Sequence, residues 1–506
     1  MNPVEQLVKW YIKSGIKDIY EYRNFAVQMQ KKTFDYLIKK AKDTKFGKEH
    51  NFASIRSVKD FQRYVPVTDY DGIKDLVQLM MEGQQNILWP TKITWFAKSS
   101  GTTSDKSKFI PVSQETLDNN HFKGGQDVMC MYANNLPNTK IFSGKILIMG
   151  GSQTVHPLNK ETHFGDVSAV MMSNTPAIAN YLRAPKRSIA LMGEWEEKLQ
   201  RMAESTLKEN ITGIAGVPTW TVVLINKLFE MTGKTDLREI WPNFELYIHG
   251  GVSFVPYKEN FRKLIPHADM NYIQTYNASE GFFSFQDILG ADDMLLATNH
   301  GIFFEFLPSE EWDKAHPEAL TIQEVEVGKN YAIVISTNSG LWRYKLGDTV
   351  TFTSKDPYRI KVSGRTKHFI NAFGEEVIVD NSDQAINEAC RQTLAEVADY
   401  TVAPIFFSEG EQASHEWLIE FNKAPHDIDA FMNILDKTLQ NLNSDYEAKR
   451  YKDIALKSPK LNIAKSGLFN DWLKQRGKLG GQNKVPRLSN DRKYIEELLK
   501  INLTVI

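Results

Sequence analysis

Four short apolar runs set the architecture: residues 144–151 (GKILIMGG), 211–218 (ITGIAGVP), 244–251 (FELYIHGG) and 270–276 (MNYIQTY). They are continuous rather than alternating, so both faces of each strand must be covered, and they are too short for buried helices. Amphipathic stretches at 186–208, 219–231 and 256–265 lie between them. That order predicts an α/β fold with helices packed over a sheet. Each run ends in or near Gly, Pro or a small polar residue. In an open α/β sheet ligands collect beyond the carboxyl ends of the strands, so these ends are expected to face one crevice.

The flanks differ in texture. The first ninety residues read as packing helices, with Val4, Leu7, Val8, Tyr11 and Ile12 on one face and Phe25, Met29, Phe34, Leu37 and Ile38 on another. From 298 to 361 the β runs are closely spaced (301–307, 331–337, 349–353, 358–362), which predicts a small antiparallel sheet or barrel. Beyond 366 a helix at 381–398, strands at 401–407 and 417–422 and a helix at 428–442 form a small α+β unit. The expected division is a large domain over 1–363 and a small mobile one over 364–506. A length of 506 residues with 42% hydrophobic content supports two such cores.

Charge narrows the partners. With 61 basic and 62 acidic residues the net is −1, so no global field points to nucleic acid or an anionic membrane, and any anion site must be local. Cys130 and Cys390 stand far apart, outside metal-ligand spacing, and read as buried apolar residues. Charges interrupt the N-terminal apolar positions and every longer apolar run, so the expectation is a cytoplasmic protein without a membrane span. A monomer is expected, on no residue pattern of its own.

One local anion site stands out. Ser99, Ser100, Gly101, Thr102 and Thr103, followed by Lys106 and Lys108, form a hydroxyl-rich, basic loop between two apolar segments. Hydroxyls and backbone N–H groups donate to phosphate oxygens, Gly101 allows close approach, and a lysine compensates charge. A plain turn has the same composition. Two strand-end loops add to it: His249-Gly250-Gly251, whose two glycines suit close backbone approach by a flat ring such as adenine or an ordinary tight turn, and Thr275-Tyr276-Asn277-Ala278-Ser279-Glu280-Gly281, with a ring that could stack on a base and a carboxylate suited to Mg²⁺, or else a buried Tyr and a solvated Glu. Further on, Asp348 follows Gly347 in YKLGD and is placed to accept ribose hydroxyls, with Arg365 in the following Gly-Arg pair. A basic, glycine-rich stretch at 474–487 contains Lys478 and Lys484.

The order of these pieces resembles the adenylate-forming superfamily of acyl-CoA synthetases, peptide-synthetase adenylation domains and luciferases. FAKSSGTTSDKSKFIP, GLWRYKLGDTV, NSDYEAKR and GKLGGQNKVPRL are more closely similar to the Gretchen Hagen family of auxin-responsive acyl-acid amido synthetases, in a bacterial-type branch, from about Asn24 to the C-terminus. The resemblance implies a ligase: a carboxylic acid and ATP, with Mg²⁺, give an acyl-adenylate and pyrophosphate, and an amine, typically an amino acid, then takes the acyl group. It further implies phosphate binding by Ser99, Ser100, Thr102 and Thr103 with Lys108, adenine stacking by Tyr276, Mg²⁺ at Glu280, ribose at Asp348 and a hinge at Arg365. The superfamily's usual C-terminal lysine motif is missing; Lys484 is the expected replacement, with Lys478 second.

Other classes lack their motifs. There is no G-x-x-x-x-G-K-[ST], no G-x-G-x-x-G after a strand, no G-x-S-x-G, and His415-Glu416 runs into Trp417 without completing H-E-x-x-H. An acyl-CoA ligase, which shares the adenylation step, stays open, as does a nucleotide-binding module without catalysis. Met129 to Tyr132 and Trp220 to Leu224 are expected to contribute to the acid pocket, or else to the core.

Overall fold

The computed structural model describes residues 3–503 except 100–107, 150–155, 158–160, 176–181, 193–194, 252–253, 255–257, 313, 367–368, 371, 373–374, 376, 407–412, 454 and 477–485. It is a mixed α/β fold with a large N-terminal part and a smaller C-terminal one. Helices Pro3–Asn24, Ala26–Ala41, Lys45–Glu49, Val58–Tyr64 and Tyr70–Met81 lead the chain, as the apolar periodicity predicts. Their starts are fixed locally: Thr44, Ser57 and Asp69 each accept a backbone N–H at a helix N-terminus.

A twelve-stranded sheet organises the large part. Asn271–Ala278 is its joint. On one side it runs parallel to Leu246–His249, followed by Ile211–Ala215, Lys145–Ile148 and the edge strand Arg183–Ala184. On the other it pairs antiparallel with Gly281–Phe285, then Met294–Leu296, Tyr358–Arg365, Tyr344–Lys355, Asn330–Thr337, Ile302–Pro308 and Leu320–Thr321. The closely spaced β runs after 298 therefore do not close on themselves. They extend the sheet, because Met294–Leu296 offers Tyr358–Arg365 a free edge.

Three further expectations change. The helical stretch at 186–208 is two helices, Arg187–Ala190 and Trp195–Thr206. The helix expected to reach Ala398 ends at Thr393, and 396–405 is strand, with Leu394 at a φ of +56° breaking the helix between them. The loop expected at 274–281 is mostly strand; Ser279 and Glu280 alone form the turn of a hairpin between Asn271–Ala278 and Gly281–Phe285.

The parallel half is covered on one face by a core that includes Leu147, Ile214, Tyr247, Leu228 and Phe261, and on the other by Ile273, Leu246 and Tyr132. Cys130, Met131 and Tyr132, and Val222 and Leu224, are buried in these cores, so those candidate pocket residues are packing residues. Cys130 and Cys390 are not disulfide-bonded; Cys130 is buried and Cys390 half-buried. The C-terminal part has its own core around Trp417, Tyr400, Phe431 and Leu439, on a sheet of Glu396–Ile405, Ser414–Lys423 and Lys460–Ala464. Trp220 packs against both this core and that of the parallel half. Among the described residues no helix is long and apolar enough to cross a membrane.

Candidate functional site

The candidate site forms where the joint strand meets its neighbours. Tyr276 lies in that strand with its ring beside Phe283 (centroids 4.8 Å apart), and its hydroxyl donates to Asp348 Oδ2 at 2.8 Å. Both residues are buried. Asp348 sits in Tyr344–Lys355 directly opposite Arg365, and Gly347, at a φ of +91°, precedes it, a conformation that suits glycine. Asp348 and Arg365 thus lie on adjoining strands, and Tyr276, four strands along the sheet from Asp348, reaches it through its hydroxyl.

The hairpin turn holding Ser279 and Glu280 is fixed from the helical side. Asn120 donates through Nδ2 to Phe282 O and His300 O, both at 3.0 Å, and its Oδ1 accepts Phe282 N–H at 2.6 Å. Asn120 belongs to a π-helical turn, Leu117–His121, inserted between Gln114–Thr116 and Phe122–Asn135. Such turns rotate side chains out of the α-helical register and recur at functional positions. Glu280 is buried, Ser279 half-buried and Asn277 exposed.

The two glycines differ. A Cβ on Gly250 would fall 2.5 Å from Thr275 O, so its bare backbone is demanded by the neighbouring strand, whose Thr275 Oγ1 donates to His249 O at 3.3 Å. Gly251 has a φ of +80° and only Val217 Cγ2, at 3.6 Å, near the position of a Cβ. It is the more open of the pair. His249 is buried and stacks on Phe254 (4.1 Å), and burial pulls its pKa down to about 3, leaving a neutral ring with an unpartnered Nδ1.

Ser99 and Lys108 face each other at the open end of an antiparallel pair, Trp95–Ser99 with Lys108–Val112, so they bracket the hydroxyl-rich loop. Phe96, Ile110 and Tyr276 share one core, which holds the two strands flanking the loop and the joint strand in the same packing. Ser100, Gly101, Thr102 and Thr103 lie outside the described residues, as do Lys478 and Lys484. Just after them the chain is tied down: Thr401 Oγ1 donates to Pro486 O (2.6 Å), Val402 N to Arg487 O (2.8 Å), and Arg487 pairs with Asp383 while lying 5.1 Å over the Tyr400 ring.

Nothing in the sequence singled out Arg183, His121 or Lys198. Each is a common residue type whose interest comes only from burial, and burial of a polar side chain has no local signature.

Three family models match in chain order: the GH3 family N-terminal domain over 15–270, the GH3 family central domain over 295–365 and the GH3 family C-terminal domain over 380–493. The chain belongs to the GH3 family. GH3 relatives span it almost end to end. The indole-3-acetic acid-amido synthetase GH3.4 of Arabidopsis thaliana is 24% identical over 550 residues, covering 94% of this chain and 91% of that protein. The jasmonoyl-L-amino acid synthetase JAR4 of Nicotiana attenuata is 22% identical, over 96% and 95%. Among solved structures, the AtGH3.15 acyl acid amido synthetase in complex with 2,4-DB superposes with a TM-score of 0.63 at 16% identity, covering 97% of this chain and 96% of that one. A 2-hydroxyisobutyryl-CoA ligase in complex with 2-HIB-AMP and CoA follows at 0.58 and 13%, over 95% and 94%. The expected fold and family are thereby met, and this GH3 protein is an enzyme of the ligase class.

Proposed function

We propose that the protein activates a carboxylic acid with ATP to an acyl-adenylate, releases pyrophosphate, and passes the acyl group to an amino acid to form an amide. The observation that carries this reading is the end-to-end match to the GH3 family, all three domains in order, with amido synthetases that cover nine-tenths or more of both chains. The geometry supports it: Ser99 and Lys108 bracket the hydroxyl-rich loop, and the Tyr276–Asp348 pair and the Glu280 turn both involve the joint strand.

The chemistry assigns a task to each. A carboxylate is a poor electrophile because it would expel oxide or hydroxide; AMP leaves readily. The acid oxygen attacks the α-phosphate, so the protein contributes positioning and charge neutralisation rather than acid–base catalysis. Lys108 and the loop of Ser99, Ser100, Gly101, Thr102 and Thr103 hold the departing phosphates. Asp348, already accepting the Tyr276 hydroxyl, retains acceptor capacity for a ribose hydroxyl. Arg365, opposite it, marks the hinge between a large domain over 1–363 and a small one over 364–506, where the twelve-stranded sheet ends and the C-terminal core begins at Ile370. Among the described residues no cluster of three or more His, Cys, Asp or Glu is arranged to hold a metal. A single buried carboxylate, Glu280, fits Mg²⁺ held chiefly by phosphate oxygens and water, where the ion would neutralise phosphate charge. Lys484 serves the reacting α-phosphate, with Lys478 second. We place the enzyme in the cytoplasm, as a monomer.

A hydroxylamine-trapping screen with ATP across aryl, indolyl and fatty acids tests the first step. At least one acid is expected to give a hydroxamate and to support ATP–pyrophosphate exchange; none doing so would favour a binding module. An acceptor panel then separates amide formation from thioester formation with CoA. Lys108→Met is expected to slow adenylation about 100-fold while changing transfer from a supplied acyl-adenylate much less. Full adenylation by Lys484→Ala with loss in Lys478→Ala would move the catalytic role to Lys478.

A further inference from the structure

Two buried side chains beside one helix, Val167–Asn174, have hydrogen-bonding capacity that the protein leaves unfilled. His121 Nε2, on the π-helical turn that packs against this helix, has no partner. Burial pulls its pKa down to about 4, so it is a neutral dipole at pH 7 and a weak demand. Arg183 is different. It is 7% exposed, and among the described residues its side chain bonds through Nη1 to Thr175 Oγ1 at 3.2 Å, just past the end of that helix. Nη2 is buried without a partner. The charged group bearing most on it is another cation, Arg187. A guanidinium has five donors and no way to discard its charge, so with Nη2 buried and unpartnered and one hydroxyl acceptor among the described residues, it is suited to an anion.

Its place in the fold suggests which anion. Arg183 opens the edge strand of the parallel half, beside Ile146. Its neighbour Ala184 enters the core on one face, which sends Arg183 to the other. The helix it touches through Thr175 also packs on Trp95–Ser99, the strand leading into the hydroxyl-rich loop. The carboxylate that is activated loses its charge on forming the adenylate and does not regain it in the amide. A fixed cation aimed at that group would lose its partner midway.

We propose that Arg183 receives a substrate carboxylate that survives both steps. This rests on the amido-synthetase reading. Two substrates carry such a group: the amino-acid acceptor, through its α-carboxylate, and a dicarboxylic acyl acid, through its second carboxylate. A planar fork suits either, since both present two oxygens to two N–H groups.

Arg183→Met separates the cases. With the acceptor as source, the KM for alanine rises about 100-fold with kcat much less affected, and the preference for alanine over ethylamine collapses. With the acyl acid as source, the preference for a dicarboxylic acid over its monocarboxylic analogue collapses in ATP–pyrophosphate exchange. Arg183→Lys, which keeps charge but not the fork, falls between. Unchanged selectivity in both panels overturns the assignment, whatever the melting temperature does. Failure of the unsubstituted protein to exchange with any acid overturns the ligase reading itself.

Discussion

The two halves of the sheet treat buried cations in opposite ways. In the antiparallel half, Arg343 is 3% exposed and its donors are matched: Nε and Nη2 to the two oxygens of Glu305 (2.9 and 3.0 Å), Nη1 to Val65 O and Gln62 O (2.7 and 3.2 Å). Arg359 likewise pairs with Asp287 and, at 2.6 Å, with Asp293. Beside the parallel half, Arg183 has one hydroxyl among the described residues, and the fully buried Lys198 has Asp166 as the charge that supports it. Closed pairs make scaffold: Arg343, at a φ of +44°, ties the N-terminal helices to the sheet through backbone carbonyls. On the proposal above, the buried unpartnered Nη2 of Arg183 marks a part of the molecule that is completed by a ligand, at some expense in stability.

The largest break in this comparison would come from Arg343→Met. Removing one partner leaves Glu305 buried and uncompensated, and a loss of about 3–5 kcal/mol is expected in urea unfolding followed by tryptophan fluorescence. Arg343→Met with Glu305→Met should recover most of it. A loss under about 1 kcal/mol in the single variant would mean that the pair is not a closed unit.

A second, smaller effect probes Lys198. Burial pulls its pKa down from 10.5 to about 8, with Asp166 opposing. The folded protein therefore disfavours the protonated amine. Below about pH 8 folding bears that cost, and it fades as pH rises through the unfolded value of 10.5, above which both states are neutral. Relative to Lys198→Met, the unsubstituted protein should gain about 2 kcal/mol between pH 8 and pH 10. A stability difference that stays flat across that window would show that Lys198 is fully compensated and belongs with the closed pairs.

What could be read in advance divides along the same line. The parallel strands were legible because continuous apolar runs bounded by Gly and Pro have few other uses, and helix Ile428–Leu442 matches its apolar periodicity to the residue. The continuity of the two halves was not, since nothing local in Met294–Leu296 says which strand it will meet. The NSDYEAKR motif shows the reverse: Asn443 caps Ser444–Arg450, while Tyr446 and Arg450 converge on the buried carboxylate of Asp436, 2.6 Å from the Tyr446 hydroxyl. Its residues are held by packing and charge, so a family signature here marks structure. At the candidate site the pieces could be named but not their contacts; that Tyr276 would donate to Asp348, 72 positions away, follows only from the joint strand.

That contact bridges the two halves, and Tyr276→Phe gives the smallest and most informative effect. Tyr276 rides on the joint strand and Asp348 on the antiparallel half, so the pair is either the last closed contact of the scaffold or the first element of the site. Losing the hydroxyl should cost about 1 kcal/mol of stability in either case, because a neutral donor to a buried carboxylate is removed while the ring stays packed on Phe283. The readings part at ATP. If Asp348 is oriented by this bond to accept a ribose hydroxyl, freeing it raises the KM for ATP about fivefold, an effect of about 1 kcal/mol, with the KM for the acid unchanged. Loss of stability with no change in the KM for ATP would assign the pair to the scaffold and move the start of the open region back across the joint strand, to Gly251 and the parallel half.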